Sequence, residues 1–280
     1  MKQFFFVHIS IQFLFGIVAM ILTLAGCSTA PTVKEDPKSE PPPRVEAPRK
    51  PDMTVVLASL NLANRSTRFE KKDLQQLAAV LKKEQVEIFS VQNISRYPTL
   101  TNRLDFYDEL LVLTDMRGKF GEMSNVSGRI RGNAVFSIYP TYGSKTTYFT
   151  GVRSANDEAL LQVVIDAGVR TIGIVSAALP EKATSEEQVK YLQMIVAANK
   201  ELGAPPLILS GNLPQSEKVR SLGAFTQSAP SGKKVSDNAV WYSSSGELVQ
   251  SEARSIETAL GTLLLARFGI FRQITNQPTR

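Results

Sequence analysis

Three regimes of apolar and polar positions follow one another along the chain. An almost unbroken apolar run spans Phe4 to Ala25, interrupted only by His8, Ser10, Gln12, Gly16 and Thr23. A stretch with almost nothing apolar, residues 28–52, comes next. From Met53 onward, short β-branched runs alternate with helical periodicity. Thr54–Ala63 and Val86–Ile94 read as core strands, and Leu74, Leu77, Ala78 and Leu81 between them mark the inner face of a helix. The glycines at 118, 121 and 128 predict a loop-rich stretch up to Gly132, followed by the strand "GNAVFSIYP", stopped by Pro140. "ALLQVVIDAGVRTIGIVSAAL" predicts two strands around an Asp166-Ala167-Gly168 turn. A helix from Ser185 to Leu202 is expected, with Ser185 and Gln188 as capping box, Val189, Leu192 and Val196 facing inward, and Gly203 closing it. "PPLILSG", Asn238–Ser244 and Leu263–Ile270 complete the strands. Hairpins mixed with helical crossovers predict a mixed sheet in a layered α/β domain. No internal repeat is visible.

The first run changes where the chain is expected to reside. It follows Lys2 and closes on Leu24-Ala25-Gly26-Cys27, a secretory signal resembling the bacterial lipobox, so residues 1–26 are expected to be cleaved and Cys27 acylated. The run is also long enough for an uncleaved membrane span. The single cysteine of 280 residues falling at the lipobox position favours the lipid anchor. Ser28 rather than Asp after Cys27 resembles lipoproteins sorted to the outer membrane, facing the periplasm.

Maturation would remove His8, the one histidine, and consume Cys27. Disulfides, His/Cys zinc sites, Ser-His-Asp triads and Cys-His dyads are thereby excluded. Carboxylate, lysine, tyrosine and serine chemistry, or an oxygen-ligated cation, remain open. Residues 28–52 hold seven of the 15 prolines with five basic and five acidic residues. Such a segment reads as an extended linker reaching at most roughly 75 Å at ~3.1 Å per residue. Residues 53–280 remain as one domain, with 26 basic against 21 acidic residues. That excess is a weak pointer to anionic ligands.

The order of short motifs resembles the endonuclease/exonuclease/phosphatase superfamily, the DNase I-like fold. The residues that carry the resemblance are Leu60-Asn61, Val91-Gln92-Asn93, "GNAVFS" (Gly132–Ser137), Ala177-Ala178-Leu179, "SGNLP" (Ser210–Pro214), Ser236–Val240, and Ala259–Leu263 before Ala266-Arg267-Phe268. It implies an α/β sandwich of two mixed β-sheets flanked by helices, with Mg²⁺-dependent phosphoester hydrolysis as the family chemistry.

The same resemblance implies that the chemistry is lost. Asn93 stands where the family has its Mg²⁺-ligating glutamate, and Asn212 where it has the aspartate that activates water. Pro214 replaces an asparagine, Ala178 a phosphate-steadying histidine, and Leu260 and Gly261 the closing Asp-His pair. Asn61, Asp237 and Asn133 survive. Their plainer readings are a strand-end hydrogen bond for Asn61, a turn cap for Asp237, and a turn pair with Gly132 for Asn133. Metal charge and proton transfer each carry orders of magnitude, so a site without catalytic residues and without a metal or cofactor is expected. The domain then reads as a binding or scaffolding module. Its partners would be the membrane through the lipid and an envelope protein or anionic ligand, not nucleic acid. Arg117, Lys119, Arg129 and Arg131 in "RGKFGEMSNVSGRIRG" are candidate anion contacts, as are Lys233-Lys234, against the plainer reading of solvated loops. Trp241 and Tyr242 read as core and rim. The alternative function is a divergent hydrolase in which Glu87, Asp157 or Glu158 converge on Asp237.

Overall fold

The computed structural model describes residues 49–62, 69–97, 104–149, 158–179, 183–212, 225–228, 238–243 and 245–272. Cys27, Asp157, Pro214, Lys233, Lys234, Asp237 and the run Phe4–Ala25 lie outside them. Arg49–Arg280 forms one unit by its internal contacts. No helix among the described residues is long and apolar enough to cross a membrane.

The elements run β1 (Met53–Asn61), α1 (Lys71–Lys83), β2 (Ile88–Arg96), α2 (Phe106–Thr114), β3 (Arg117–Val126), β4 (Arg129–Ser137), β5 (Thr141–Tyr148), β6 (Ala159–Asp166), β7 (Thr171–Ala178), α3 (Ser185–Glu201), β8 (Leu207–Asn212), β9 (Phe225–Ser228), β10 (Ala239–Ser243), β11 (Leu248–Thr258) and β12 (Gly261–Ile270). Two six-stranded sheets form, ordered β11-β12-β1-β2-β4-β3 and β5-β6-β7-β8-β10-β9. Each holds one parallel pair, β1 with β2 and β7 with β8, and every other pairing is antiparallel. A parallel pair needs a crossover, and α1 and α3 supply them. The two sheets therefore share one connectivity around their parallel centres, a repeat of topology that the sequence does not display.

Three apolar layers hold this arrangement. Leu74, Leu77 and Leu81 of α1 and Phe106 and Leu110 of α2 pack on Ala58, Leu60, Phe89 and Phe136 of the first sheet. Tyr191, Leu192 and Ile195 of α3 cover Val175, Leu209 and Trp241 of the second. Between the sheets lie Val55, Leu57, Ile88, Val135, Ile172, Ile174, Ile208 and Phe268. Strands buried on both faces explain the continuous apolar runs. This is the DNase I-like architecture of two mixed sheets flanked by helices.

Several elements differ from expectation. The stretch before Gly132 is a helix and a hairpin rather than a loop. Asp105 caps α2 by accepting from the backbone N–H groups of Tyr107 and Asp108, and Asp108 and Glu109 complement the first turn. Gly118 and Gly121 permit close packing instead of chain reversal. A Cβ on Gly118 would meet the Tyr107 hydroxyl at 2.5 Å, and one on Gly121 would meet Leu161 at 2.8 Å. The capping box of α3 is Thr184 with Glu187, one residue earlier than expected. Its buried face is Tyr191, Leu192, Ile195 and Ala198, while Val196 is exposed. β5, β9 and β11 are strands whose polar patterns predict none, and each stands at a sheet edge with one neighbour. Trp241 is buried in the core with Tyr242 partly buried beside it, as expected.

Candidate functional site

The inner faces of the central strands change chemistry along their length. Every second residue of a strand faces the same side, and β1 reads Val55, Leu57, Ser59, Asn61 on the face toward the other sheet. β2 reads Ile88, Ser90, Gln92; β7 reads Ile172, Ile174, Ser176, Ala178; β8 reads Ile208, Ser210, Asn212. The space between the sheets is thus aliphatic at one pole and hydroxyl- and amide-lined at the other. Ser59, Ser90, Gln92, Asn133, Ser176 and Ser210 are all fully buried. Ser59, Ser90 and Ser176 belong to no motif in the sequence, and Gln92 and Ser210 stand inside motifs without a role of their own there. A serine or amide at every second position as each run ends was the signal that marks them.

Gln92 is the hub of that polar half. Its side-chain Nε2 donates to Ser90 Oγ at 2.9 Å and to Ser176 Oγ at 3.0 Å, and approaches the Ser210 carbonyl at 3.4 Å. Ser210 Oγ lies 2.6 Å from Ser90 Oγ and 3.0 Å from the Val175 carbonyl, and Ser176 Oγ donates to the Val91 carbonyl at 3.2 Å. The donors can all be placed if Ser90 donates to Ser210 and Ser210 to Val175. Gln92 Oε1 is then left as a buried acceptor without a partner. These bonds tie β2 of one sheet to β7 and β8 of the other.

The candidate residues gather at the polar pole. Asn93 sits at an irregularity in the pairing of β2 with β4, in the left-handed region at φ 61°. Its backbone N–H donates to Asn133 Oδ1 at 3.2 Å, and its Nδ2 donates to Asn61 Oδ1 at 2.9 Å. Asn133 is not a turn residue. It lies inside β4 and donates to the carbonyls of Ala159 at 2.8 Å and Ser176 at 3.3 Å, spanning the sheets. Ala178 pairs with Asn212 at the ends of β7 and β8, and Asn212 Nδ2 approaches the Leu179 carbonyl at 3.5 Å. A Cβ on Gly211 would stand 3.0 Å from Gln92 Cδ, which places the β8 end against β2. A Cβ on Gly261 would stand 4.0 Å from the Asn61 carbonyl oxygen, so the turn between β11 and β12 lies beside β1. Leu260 in that turn is buried in the apolar layer under α1. Asn238 closes the floor: Ser59 Oγ donates to its Oδ1, and its Nδ2 donates to the Ser59 carbonyl, each at 2.8 Å.

The candidate cations and carboxylates do not all join this pole. Arg117 and Lys119 pair with Ser137 and Val135, toward the aliphatic end. Arg117 lies six residues of strand, roughly 20 Å, from the level of Arg131. Arg129 donates to Ser95 Oγ at 3.1 and 3.0 Å, and Arg131 pairs with Glu158 at 3.3 Å. The four basic residues therefore form no single anion patch. Glu87 is at the far pole as well, accepting from the Val56 N–H at 2.9 Å and the Tyr139 hydroxyl at 2.7 Å. Its place there removes it from the rearranged carboxylate site.

Burial pushes the Glu158 carboxyl up from its ordinary value, with Arg131 pulling the other way. A carboxyl that binds its proton more tightly folded than unfolded lowers stability as pH rises from its ordinary value of 4.5 through the raised one. Glu158→Gln should flatten that part of the stability profile, measured by urea unfolding at closely spaced pH. An unchanged slope in the variant would show that Glu158 does not titrate abnormally.

The floor of the pole is amide on amide. An asparagine supplies one neutral oxygen, and here the Asn61 oxygen already accepts from Asn93. That donor set does not suit a hard, reluctantly dehydrated divalent cation. No group of three His, Cys, Asp or Glu that could hold a metal occurs among the described residues.

The fold this geometry belongs to is that of the endonuclease/exonuclease/phosphatase proteins. The chain is similar to such a protein from Leptotrichia buccalis, with a TM-score of 0.58 and 14% identity over 76% of this chain and 98% of that one. It is similar to another from Bacteroides vulgatus, with a TM-score of 0.61 and 10% identity over 78% and 99%. The catalytic domain of human Nocturnin, with a bound sulfate anion, matches with a TM-score of 0.55 and 14% identity over 78% and 94%. At these identities the likeness is one of fold. No family model matches the sequence, and no curated protein matches it significantly.

Proposed function

We propose that this chain is a lipid-anchored protein of the bacterial envelope whose DNase I-like domain binds or scaffolds and does not hydrolyse phosphoesters. The observation that carries the reading is the Asn93–Asn61 hydrogen bond, amide to amide, at the position where the resemblance puts a metal-ligating glutamate. Ala178, Asn212, Leu260 and Gly261 stand at the other positions from which the fold's relatives would draw an acid or a histidine. The lipobox ending in Cys27 and the proline-rich linker support the anchor, and Ser28 supports the outer membrane. A domain that retains the scaffold and a hydrogen-bonding floor keeps the means to bind while lacking charge to polarise a phosphate.

The mature protein with Mg²⁺ should give no turnover of DNA, phosphoinositide, sphingomyelin or bis-p-nitrophenyl phosphate above a blank. Turnover that disappears in Asn61→Ala or Asp237→Ala would overturn the proposal.

A further inference from the structure

The two poles of the folded unit differ in surface charge as well as in the chemistry between the sheets. At the aliphatic pole the first sheet lines up three strand ends: Ile88 of β2 pairs with Ser137 of β4, and Ser137 with Arg117 of β3. Two spacings of about 4.8 Å make that edge roughly 10 Å wide. α1 ends there on Lys82 and Lys83, and α2 ends just before Arg117. Ile138 follows Ser137, and its N–H donates to the Glu87 carbonyl at 3.0 Å. The Asp166 N–H donates to the Pro140 carbonyl at 2.9 Å, which ties the β4–β5 turn to the second sheet.

Lys82, Lys83, Arg117 and Lys119 are all exposed, and among the described residues none uses its side chain in an ion pair or hydrogen bond. Lys82 and Lys83 complement the C-terminus of α1, whereas Arg117 and Lys119 lie in a strand. The acids of the same end are engaged. Glu84 pairs with Arg254, and Glu87 accepts from the Val56 N–H and the Tyr139 hydroxyl. Asp115 is the exposed carboxyl beside the four cations. Toward the other pole the cations are matched: Lys71, Arg96 and Arg131 are each held by a carboxylate.

Apolar side chains emerge at this same end. Val112, near the end of α2, is 81% exposed, Ile138 51% and Tyr142 71%, three of the six large apolar side chains exposed among the described residues. Exposed apolar residues scattered singly are ordinary. Here they stand beside unmatched positive charge. Tyrosine and aliphatic groups flanked by Lys and Arg suit the surface of an anionic bilayer, where the charges meet phosphate and the apolar groups leave water. A nucleic acid or other soluble polyanion would use the cations alone and leave Val112 and Ile138 without a role.

We propose that this end of the domain docks directly on a bilayer containing anionic phospholipid, with the four basic residues at the headgroups and Ile138 and Tyr142 at the acyl boundary. Docking of this kind depends neither on acylation nor on the linker.

The test uses residues 27–280 with Cys27→Ser, which removes both the acylation site and the single cysteine. Binding is read by cosedimentation with phosphatidylcholine vesicles, with and without phosphatidylglycerol. The chain should bind only where phosphatidylglycerol is present. At about 1 kcal/mol per basic residue, Arg117→Gln with Lys119→Gln should weaken that binding roughly 25-fold. Ile138→Ser with Tyr142→Ser should weaken it with the charges intact. An environment-sensitive fluorophore on Ile138→Cys should brighten on the anionic vesicles. The same fluorophore on Glu257→Cys, exposed beside the β11–β12 turn at the polar pole, should not. No binding to anionic vesicles, or equal brightening at position 257, overturns the proposal. Binding that Ile138→Ser with Tyr142→Ser leaves unchanged, and for which a DNA duplex competes, overturns it in favour of a general polyanion surface. Because the chain tested carries no lipid, none of these outcomes bears on the anchor at Cys27 or on the absence of turnover.

Discussion

Gly211→Ala is expected to destabilise the protein by about 3–5 kcal/mol and to lower its melting temperature by roughly 10 °C. Two effects add at this position. Gly211 has φ 127°, a region nearly closed to any residue with a side chain. A Cβ there would also lie 1.9 Å from the Ala177 carbonyl oxygen of the parallel neighbour, a rigid backbone atom in the middle of the sheet. Relief requires β7 and β8 to move apart, with loss of hydrogen bonds worth about 1 kcal/mol each. Gly168→Ala is the control, because Gly168 has φ 84° with nothing within 4 Å of the added Cβ. It should cost only about 1–2 kcal/mol, the conformational part alone. Equal losses in the two variants, read by urea unfolding, would show that the contact across β7 and β8 is not as tight as described.

Gln92→Glu is the second change with a large expected effect, about 3 kcal/mol at pH 8. The carboxylate would be fully buried between the sheets, among two serine hydroxyls and a carbonyl that the native amide approaches as a donor. An ionised carboxylate cannot donate, and no cation is within reach among those hydrogen bonds. Desolvation therefore raises the pKa of the new group above its unfolded value. Stability should fall as pH rises through the interval between the two values and return toward wild type as pH drops below it. The neutral acid nearly reproduces the amide in shape and can donate one hydrogen bond. A Gln92→Glu stability that does not vary from pH 5 to pH 8 relative to wild type would contradict full burial at this position.

These two positions show where motif reading and structure diverge. Gly211 and Gln92 flank the motif positions Asn212 and Asn93, yet neither drew attention by itself. Their importance arises from the opposite sheet, since Gly211 touches β7 and Gln92 reaches β7 and β8. A pattern along one strand reports which face is buried, but not what the buried face meets. The stretch from Asp105 to Val126 departs from its sequence pattern for a related reason. Glycine in a sequence reads as punctuation, but of Gly118, Gly121 and Gly128 only Gly128, at φ 79° in the turn after β3, reverses the chain. Gly118 and Gly121 are required by Tyr107 and Leu161, partners 11 and 40 residues away in sequence. β11 was passed over because an edge strand with one solvated side carries a weak apolar signal.

By itself, the sequence settled the layered α/β class, the helices of both crossovers and the succession of the core strands along the chain, because burial on both faces writes long apolar runs into the chain. It also settled which side chains stand at the strand ends: Asn61, Asn93, Ala178, Asn212. Only the tertiary structure decided that these ends meet at one pole, that Arg117, Lys119 and Glu87 do not join them, and that Asn133 spans the sheets instead of turning the chain. The reason is physical. Local pattern records each strand's own exposure, whereas the composition of a site depends on sheet order and register, which only long-range pairing establishes.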